Sequence, residues 1–591
     1  MRRRGSRRLI AGQARITGAH DRANGPPRRG YAAGLAACCT AVVGLLRGRG
    51  RQERARGALL VTALWLAAAA GAAVGGAGCR GAAPALRLPP GARVLHLAIQ
   101  DDIPTLDPAV GYDTASWTFE QMIFDTLVRY TDGGVDLIPD VATDWKSSPD
   151  ATLFTFHLRH DARFTNGRPV TAADFKYEIE RVLNPATRSK GMEYFREIAG
   201  ADSFVAGRTR QLTGITAPDD WTIVFHLMAP DPIFVQKLAM PFAAAVPREV
   251  VERWGEDFAG HVAGSGPFKL AQWIGGQRLV LIRNPDYFIK GAPRVDAIVE
   301  QIGVNEELQW LKFEVGDIDE SMIPPAEFPY VMKTPRLRAQ TEKVVNLATY
   351  YVAMNCQMKP FNDARVRRAF NYAVDKRKII ALLNGRGVVA HGVLAPGLPG
   401  YNPDLEGYPY DPDRARRMLE EAGLRKDFTP TLWMRADRTE MMLGQSVQQD
   451  LALVGVHVTL KPVAWGPLLE AVRQPGAAEL ANLGWEADFA DPQNFLQVLL
   501  SRQQWGANND SFYYNPEVDK LLSEAAPQTD LKQRYALYER AEQIVVADAP
   551  WVFLYNPVSY VILQPWVHGY VLNPMRPTRL DRVWLSPHAG H

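Results

Sequence analysis

The stretch Phe154-Thr155-Phe156-His157-Leu158-Arg159, followed by Phe164-Thr165-Asn166-Gly167-Arg168-Pro169-Val170 and Thr171-Ala172-Ala173-Asp174-Phe175, reads as a strand, a turn and the start of a helix. Phe154, Phe156 and Leu158 alternate with Thr155, His157 and Arg159, the two-residue period of a strand buried on one face. Thr171 stands where a helix N-cap belongs. Phe175, Ile179 and Val182 then fall on one helical face, and Pro185 stops the run after Asn184. Ile223, Phe225 and Leu227 repeat the strand alternation, and the two strands suit an antiparallel sheet.

Strand and helix signals alternate on both sides of this block, from a short strand-like run at Val94 to Ile99 onward. Asp411 and Pro412 open a helix as N-cap and first helical residue, Ala415, Met418, Leu419 and Ala422 form its apolar stripe, and Gly423 supplies its stop. Another helix is predicted from Asp363, with Val366, Phe370 and Val374 on its apolar face, running to Asn384-Gly385. Such segments without a strict βαβ rhythm predict a mixed α/β (α+β) chain of more than one lobe, as 591 residues require.

Fourteen arginines against only Asp21 and Glu53 make residues 1–78 strongly basic, leaving 53 basic and 62 acidic residues beyond, a net charge of −9. An acidic body argues against nucleic acid as the main partner. Arg51 to Arg56, the apolar run Ala58 to Val74 and Gly75-Gly76-Ala77-Gly78-Cys79 have the three-part layout of an export signal. The small residues before Cys79 resemble a lipobox, although Gly76 stands where an aliphatic residue is usual, so lipidation at Cys79 and a membrane tether are expected. An ordinary signal peptide cleaved nearby is the alternative. Leu35-Ala36-Ala37-Cys38 is a second lipobox behind a shorter apolar run, and Ser6-Arg7-Arg8 faintly resembles a twin-arginine signal with no apolar core after it. Cys356 is then the one cysteine of the exported body, so no internal disulfide is expected, and its apolar neighbours mark it as a core residue.

Several separated segments, in order from about Val94 to Tyr570, resemble the extracellular solute-binding protein family 5, the peptide- and nickel-binding proteins of ABC importers. They are Pro104-Thr105-Leu106-Asp107-Pro108, Pro139-Asp140-Val141-Ala142-Thr143-Asp144-Trp145, the opening block, Gly264-Ser265-Gly266-Pro267-Phe268, Arg283-Asn284-Pro285-Asp286-Tyr287 and Gly316-Asp317-Ile318-Asp319. The second half adds Pro360-Phe361, Val366-Arg367-Arg368-Ala369-Phe370, Glu421-Ala422-Gly423 and Gly484-Trp485-Glu486-Ala487-Asp488 before Asp491-Pro492. The resemblance implies a two-lobed periplasmic-binding-protein fold of the large type. Residues 1–78 would be leader and lipoprotein signal, 79–92 a tether, 93–345 lobe I with an extra subdomain at about 124–246, 346–556 lobe II and 557–591 the return to lobe I.

It also implies a monomeric, extracytoplasmic receptor that delivers a peptide to an ABC permease and its ATPase subunits. Capturing a peptide requires a carboxylate for the α-ammonium and, for a short ligand, a cation for the α-carboxylate. The residue matching the family's ammonium-binding aspartate is Asp488, with Trp485 as an apolar wall; a capped turn or a pair with an internal arginine is the structural alternative. Arg435 lies nearest the place of a carboxylate-binding arginine, close to Arg438, but a solvated surface arginine is the stronger reading. Asn355 either donates to a ligand carbonyl or satisfies backbone at the hinge. Gly111 and Tyr112, followed by Asp113, fall where some oligopeptide binders carry an acid, which leaves ligand length open.

No enzyme is expected and no cofactor or resident metal is called for. The sequence has no His-Glu-x-x-His, Gly-x-Ser-x-Gly or P-loop, so the ATPase is a separate chain. His157 and His160, three apart on a strand, point to opposite faces. Gly385-Arg386-Gly387-Val388-Val389-Ala390 follows a helix instead of the strand that a dinucleotide loop needs. A nickel or metallophore receptor using His391 or His457, and more remotely an exported hydrolase, are the other readings.

Overall fold

The computed structural model describes residues 88–425, 427–575 and 578–587. The leader, with Cys38, Cys79 and the lipobox readings, lies outside the described residues.

Strand Leu153–Leu158 pairs antiparallel with Ala142–Ser147 on one side and Thr222–His226 on the other, and Ile215–Asp219 closes this four-stranded sheet. Phe154 faces Phe225 and Phe156 faces Ile223 across the ladder, so each strand's apolar row lies on the same side. Helix Ala172–Leu183 covers that side with Phe175, Ile179 and Val182. Its start is held by Asp174, whose carboxylate accepts the Thr171 N–H at 2.8 Å and hydroxyl at 3.0 Å while Arg168 closes on it at 2.7 Å.

A second sheet runs in the order Val94–Ile99, Ala297–Ile302, Arg278–Arg283, Phe268–Ile274, its first pair parallel and the others antiparallel. The Gly264-Ser265-Gly266 segment leads into it past the end of helix Thr114–Ile123. The Gly266 N–H bonds the Ile123 carbonyl at 2.8 Å, and Asn284 donates to the Gly266 carbonyl at 2.8 Å. A Cβ on Gly264 would overlap the Ile123 carbonyl, so lack of a side chain is what lets the segment and the helix end meet.

The largest sheet has eight strands on the path Glu320–Met322, Trp551–Leu563, Ala348–Met354, Leu480–Glu486, Thr431–Arg435, Thr459–Val463, with Thr341–Val345 and Gly387–Val389 also joined to Trp551–Leu563. That 13-residue strand changes partners along its length. Trp551 to Tyr555 pair with Ala348–Met354, whereas Val558 to Ile562 pair with Thr341–Val345. Between the two sets lies Pro557, which has no N–H to give a ladder and whose carbonyl accepts the Asn346 N–H at 2.9 Å.

The helix expected from Asp363 to Asn384 is two helices, Ala364–Ala373 and Lys376–Leu382. Val374 is extended, and the Asp375 carboxylate accepts the N–H groups of Arg377 at 3.0 Å and Lys378 at 3.1 Å, so a second N-cap interrupts the apolar period. Asp411 caps Pro412–Glu421 through the Arg414 N–H at 2.8 Å, and Gly423 takes a φ of +70° just beyond it.

A Gly264→Ala substitution must push the segment off the helix end. It is expected to cost about 1–3 kcal/mol of stability, measured as a lower urea midpoint at unchanged slope; an unaltered midpoint would show that the contact is slack.

Candidate functional site

Leu106-Asp107-Pro108 starts the site. Asp107 accepts two N–H groups of Arg181, from the helix over the first sheet, at 2.7 and 2.5 Å, and this bidentate pair anchors the loop that follows. Asp113 then caps helix Thr114–Ile123 by accepting the Ser116 N–H at 2.8 Å. Tyr112, just before the cap, packs its ring 5.7 Å from both Trp117 and Phe242.

The opposite wall is the loop after strand Leu480–Glu486. Asp491 is ion-paired at 2.9 Å with Arg534, both fully buried. Phe489 inserts into the apolar core of the Leu153–Leu158 sheet, edge-on to Tyr194. The Ala490 N–H bonds the Tyr130 hydroxyl at 3.2 Å, and Ala487 donates to the Leu347 carbonyl at 2.9 Å. Four fastenings on one short loop fix the backbone that carries Asp488.

There it meets neutral donors. The Tyr194 hydroxyl donates at 2.8 Å, the Tyr112 hydroxyl lies 3.1 and 3.2 Å from the two oxygens, and the Asn494 amide donates at 3.1 Å. Asn494 is itself oriented, because its carbonyl accepts the Trp485 indole N–H and the Asp488 N–H, both at 3.0 Å. Among the described residues no cation pairs with Asp488. Burial pushes its carboxyl above the ordinary aspartate range against the pull of the Tyr194, Asn494 and Tyr112 hydrogen bonds, and the Glu486 charge adds to the rise. Burial and the Asp488 charge in turn push both tyrosines well up, so each remains a donor at neutral pH.

Asp488 lines a cavity of about 80 Å³ together with Glu120, Arg129 and Arg579. The arginines already face acids: Arg129 lies 3.3 Å from Asp132 and 3.7 Å from Asp140, and Arg579 lies 3.2 Å from Asp581 and 3.9 Å from Asp125. Both Glu120 carboxyl oxygens are buried without a hydrogen-bond partner among the described residues, and burial with the charges of Asp107 and Asp113 raises the group well above the glutamate range.

Of the residues read from sequence, Tyr112, Trp485 and Asp488 come together, with Trp485 acting on Asp488 through Asn494. Asn355 and Arg435 do not join them. The Asn355 amide donates to the Ala478 carbonyl at 3.2 Å and accepts the Gln357 N–H at 3.1 Å, a strand-end role. Arg435 is exposed, 3.6 Å from Asp437 and over the Trp465 ring. His391 bonds the Leu405 carbonyl beside a different cavity, and His457 is exposed. His157 holds Asp144 at 2.7 Å while His160 stacks on Trp221. Tyr194, Asn494 and Glu120 were not singled out in the sequence. Only Asn494 carries a signal, the Asp491-Pro492 helix start that places it near Asp488; Tyr194 sits in a short 3-10 turn without a pattern.

The family model for bacterial extracellular solute-binding proteins, family 5 Middle, matches residues 136–507. The chain belongs to this family. It is 30% identical over 468 residues to the periplasmic oligopeptide-binding protein OppA of Escherichia coli, covering 76% of this chain and 85% of that one. It is also 30% identical over 477 residues to heme-binding protein A of Haemophilus influenzae, covering 77% and 85%. Among solved structures, the periplasmic binding protein DppA of Helicobacter pylori in complex with the peptide STSA superposes with a TM-score of 0.71 at 30% identity, covering 83% of this chain and 98% of that one. Haemophilus influenzae OppA in complex with RPPGFSPFR gives 0.70 at 25% identity, with 84% and 99% covered. The fold is thus the two-lobed, mixed α/β architecture of periplasmic peptide-binding proteins.

The raised carboxyl of Asp488 has a stability consequence whose sign is fixed. Its folded value lies above the unfolded one of about 3.9, so its contribution is full below that pH and is lost as pH rises through the folded value. Asp488→Asn is therefore expected to melt above the wild type at pH 7, with the gap closing toward pH 3.5; equal melting at pH 7 would mean that the acid is not penalised by burial.

Proposed function

We propose that this chain is the ligand-capturing subunit of an ABC importer on the extracytoplasmic face, taking a peptide by its α-ammonium at Asp488. What carries the reading is a part-buried carboxylate oriented by two hydroxyls and an amide and matched by no cation among the described residues. An acid shielded from water costs several kcal/mol unless a positive charge reaches it. The donors hold the two oxygens in place but bring no net charge, so an ammonium is the group the site lacks.

The donors come from segments far apart in the chain, Tyr112 and Tyr194 on one side and Asn494 on the other. A guest cation bound at Asp488 would favour the arrangement in which they meet, which couples capture to lobe closure. The peptide complexes among the solved relatives accord with this reading. Lobe I is taken as 93–345 with 557–591, lobe II as 346–556, and the extra subdomain as about 124–246. The change of partners along Trp551–Leu563 and the Asn346–Pro557 hydrogen bond support the division at 346 and 557.

The receptor acts as a monomer that binds and releases its ligand unchanged, held to the membrane by a lipid on Cys79. The leader's basic, apolar and small-residue order supports the anchor, and no helix among the described residues is long and apolar enough to cross a membrane.

Calorimetry with tri-alanine tests the capture: Asp488→Ala should keep its fold by circular dichroism and lose at least about 30-fold in affinity. Unchanged affinity would refute the assignment. In cells fed an alkyne fatty acid, Cys79→Ser should abolish labelling and release the protein from the membrane fraction, whereas persistent label would place the lipid elsewhere.

A further inference from the structure

A second cavity, of about 530 Å³, lies on the other side of helix Thr114–Ile123, between the Val94–Ile99 sheet and the strands that meet Trp551–Leu563. Thr114 and Thr118 of the helix face it, whereas Trp117, Glu120 and Gln121 face the Asp488 cavity, and Asn573 lines both. The two spaces are therefore neighbours around one helix.

Its lining is one-sided in charge. Asp101, Glu300, Glu306 and Glu320 contribute to it, and no lysine, arginine or histidine does among the described residues. Glu300 is the most telling. In strand Ala297–Ile302 it occupies the buried row of Ile298 and Ile302, directly opposite Leu97 and Leu279, where the alternation calls for an apolar side chain. It is only 4% exposed and makes no hydrogen bond or ion pair with any described residue. Glu320, on strand Glu320–Met322, faces the same space with the Tyr570 hydroxyl as its hydrogen-bond partner. Each carboxylate is raised by burial, Glu320 to about 7 and Glu300 well above its ordinary value with the Glu320 charge adding to the rise. Two carboxylates turned into one space without a counter-charge are held at a cost unless something positive enters. The remaining walls, Phe119, Met322, Val561 and Leu572, suit an alkyl stem.

We infer that this acidic cavity receives the basic side chain of a peptide whose ammonium is held at Asp488, so that the substrate class is cationic peptides. This rests on the proposed capture at Asp488. A lysine or arginine stem would lie along the apolar wall, and its charged end would sit between Glu300 and Glu320.

The test is calorimetry with tri-alanine, with tripeptides carrying one lysine at the first, second or third position, and with norleucine at the same positions. The proteins are the wild type, Glu300→Gln, Glu320→Gln and the double variant. Gln removes charge at nearly constant volume, and unchanged tri-alanine binding serves as the check on folding. The expected result is that lysine at one position binds about tenfold or more tighter than norleucine in the wild type, and that the double variant loses this preference while keeping tri-alanine affinity. Tri-alanine binding with no lysine preference, or a preference that survives in the double variant, would overturn the acidic cavity and leave the Asp488 reading standing. An equal fall for all peptides in the variants would mark the two glutamates as structural and also overturn it. Failure of every peptide to bind the wild type would remove both.

Discussion

A part-buried carboxylate held by hydrogen bonds but, among the described residues, without a counter-charge is the constraint on which the proposed site depends. Hydrogen bonds to an ion contribute about 1.5–3 kcal/mol each at best, and they orient the Asp488 oxygens without cancelling their charge. The deficit is what makes the site receptive under the proposed function: an arriving ammonium supplies what Tyr112, Tyr194 and Asn494 cannot.

The loop carrying Asp488 shows the contrast within a few residues. Asp491 is fully buried and fully matched by Arg534, a pair whose task is to hold the loop. Asp488, three positions earlier, is denied any such partner while the chain around it is fastened by Phe489, the Tyr130 hydroxyl and Asn494. Under the proposed function, the ion pair at Asp491 supplies rigidity and the acid at Asp488 supplies binding, since a site left loose would let the carboxylate turn toward solvent or a stray arginine.

The long strand Trp551–Leu563 ties these walls to the rest of the body. Its two halves belong to different ladders, Trp551 to Tyr555 with Ala348–Met354 and Val558 to Ile562 with Thr341–Val345, and Gly387–Val389 pairs with it across the change of partners. Glu300 shares one feature with Asp488 on a different surface: it is an acid that faces a cavity with no cation beside it among the described residues.

By itself the sequence determined the kinds of elements and the family resemblance, and it marked Asp488 as a candidate acid. Alternation at Phe154 to Leu158, the caps at Thr171 and Asp411 and the ordered motifs are local signals, written in neighbouring residues and readable without a fold. Local reading also set a limit, since the apolar period after Asp363 concealed the second cap at Asp375 that splits one expected helix into two. Only the tertiary structure decided which side chains surround Asp488 and which do not. Tyr112 and Tyr194 reach it across 376 and 294 residues of chain, while Asn355 and Arg435, plausible by position, are occupied elsewhere. The physical reason is that a buried charge is priced by everything within a few ångströms of it, and neighbours at that range are assembled by packing between distant segments, which no short stretch of sequence records.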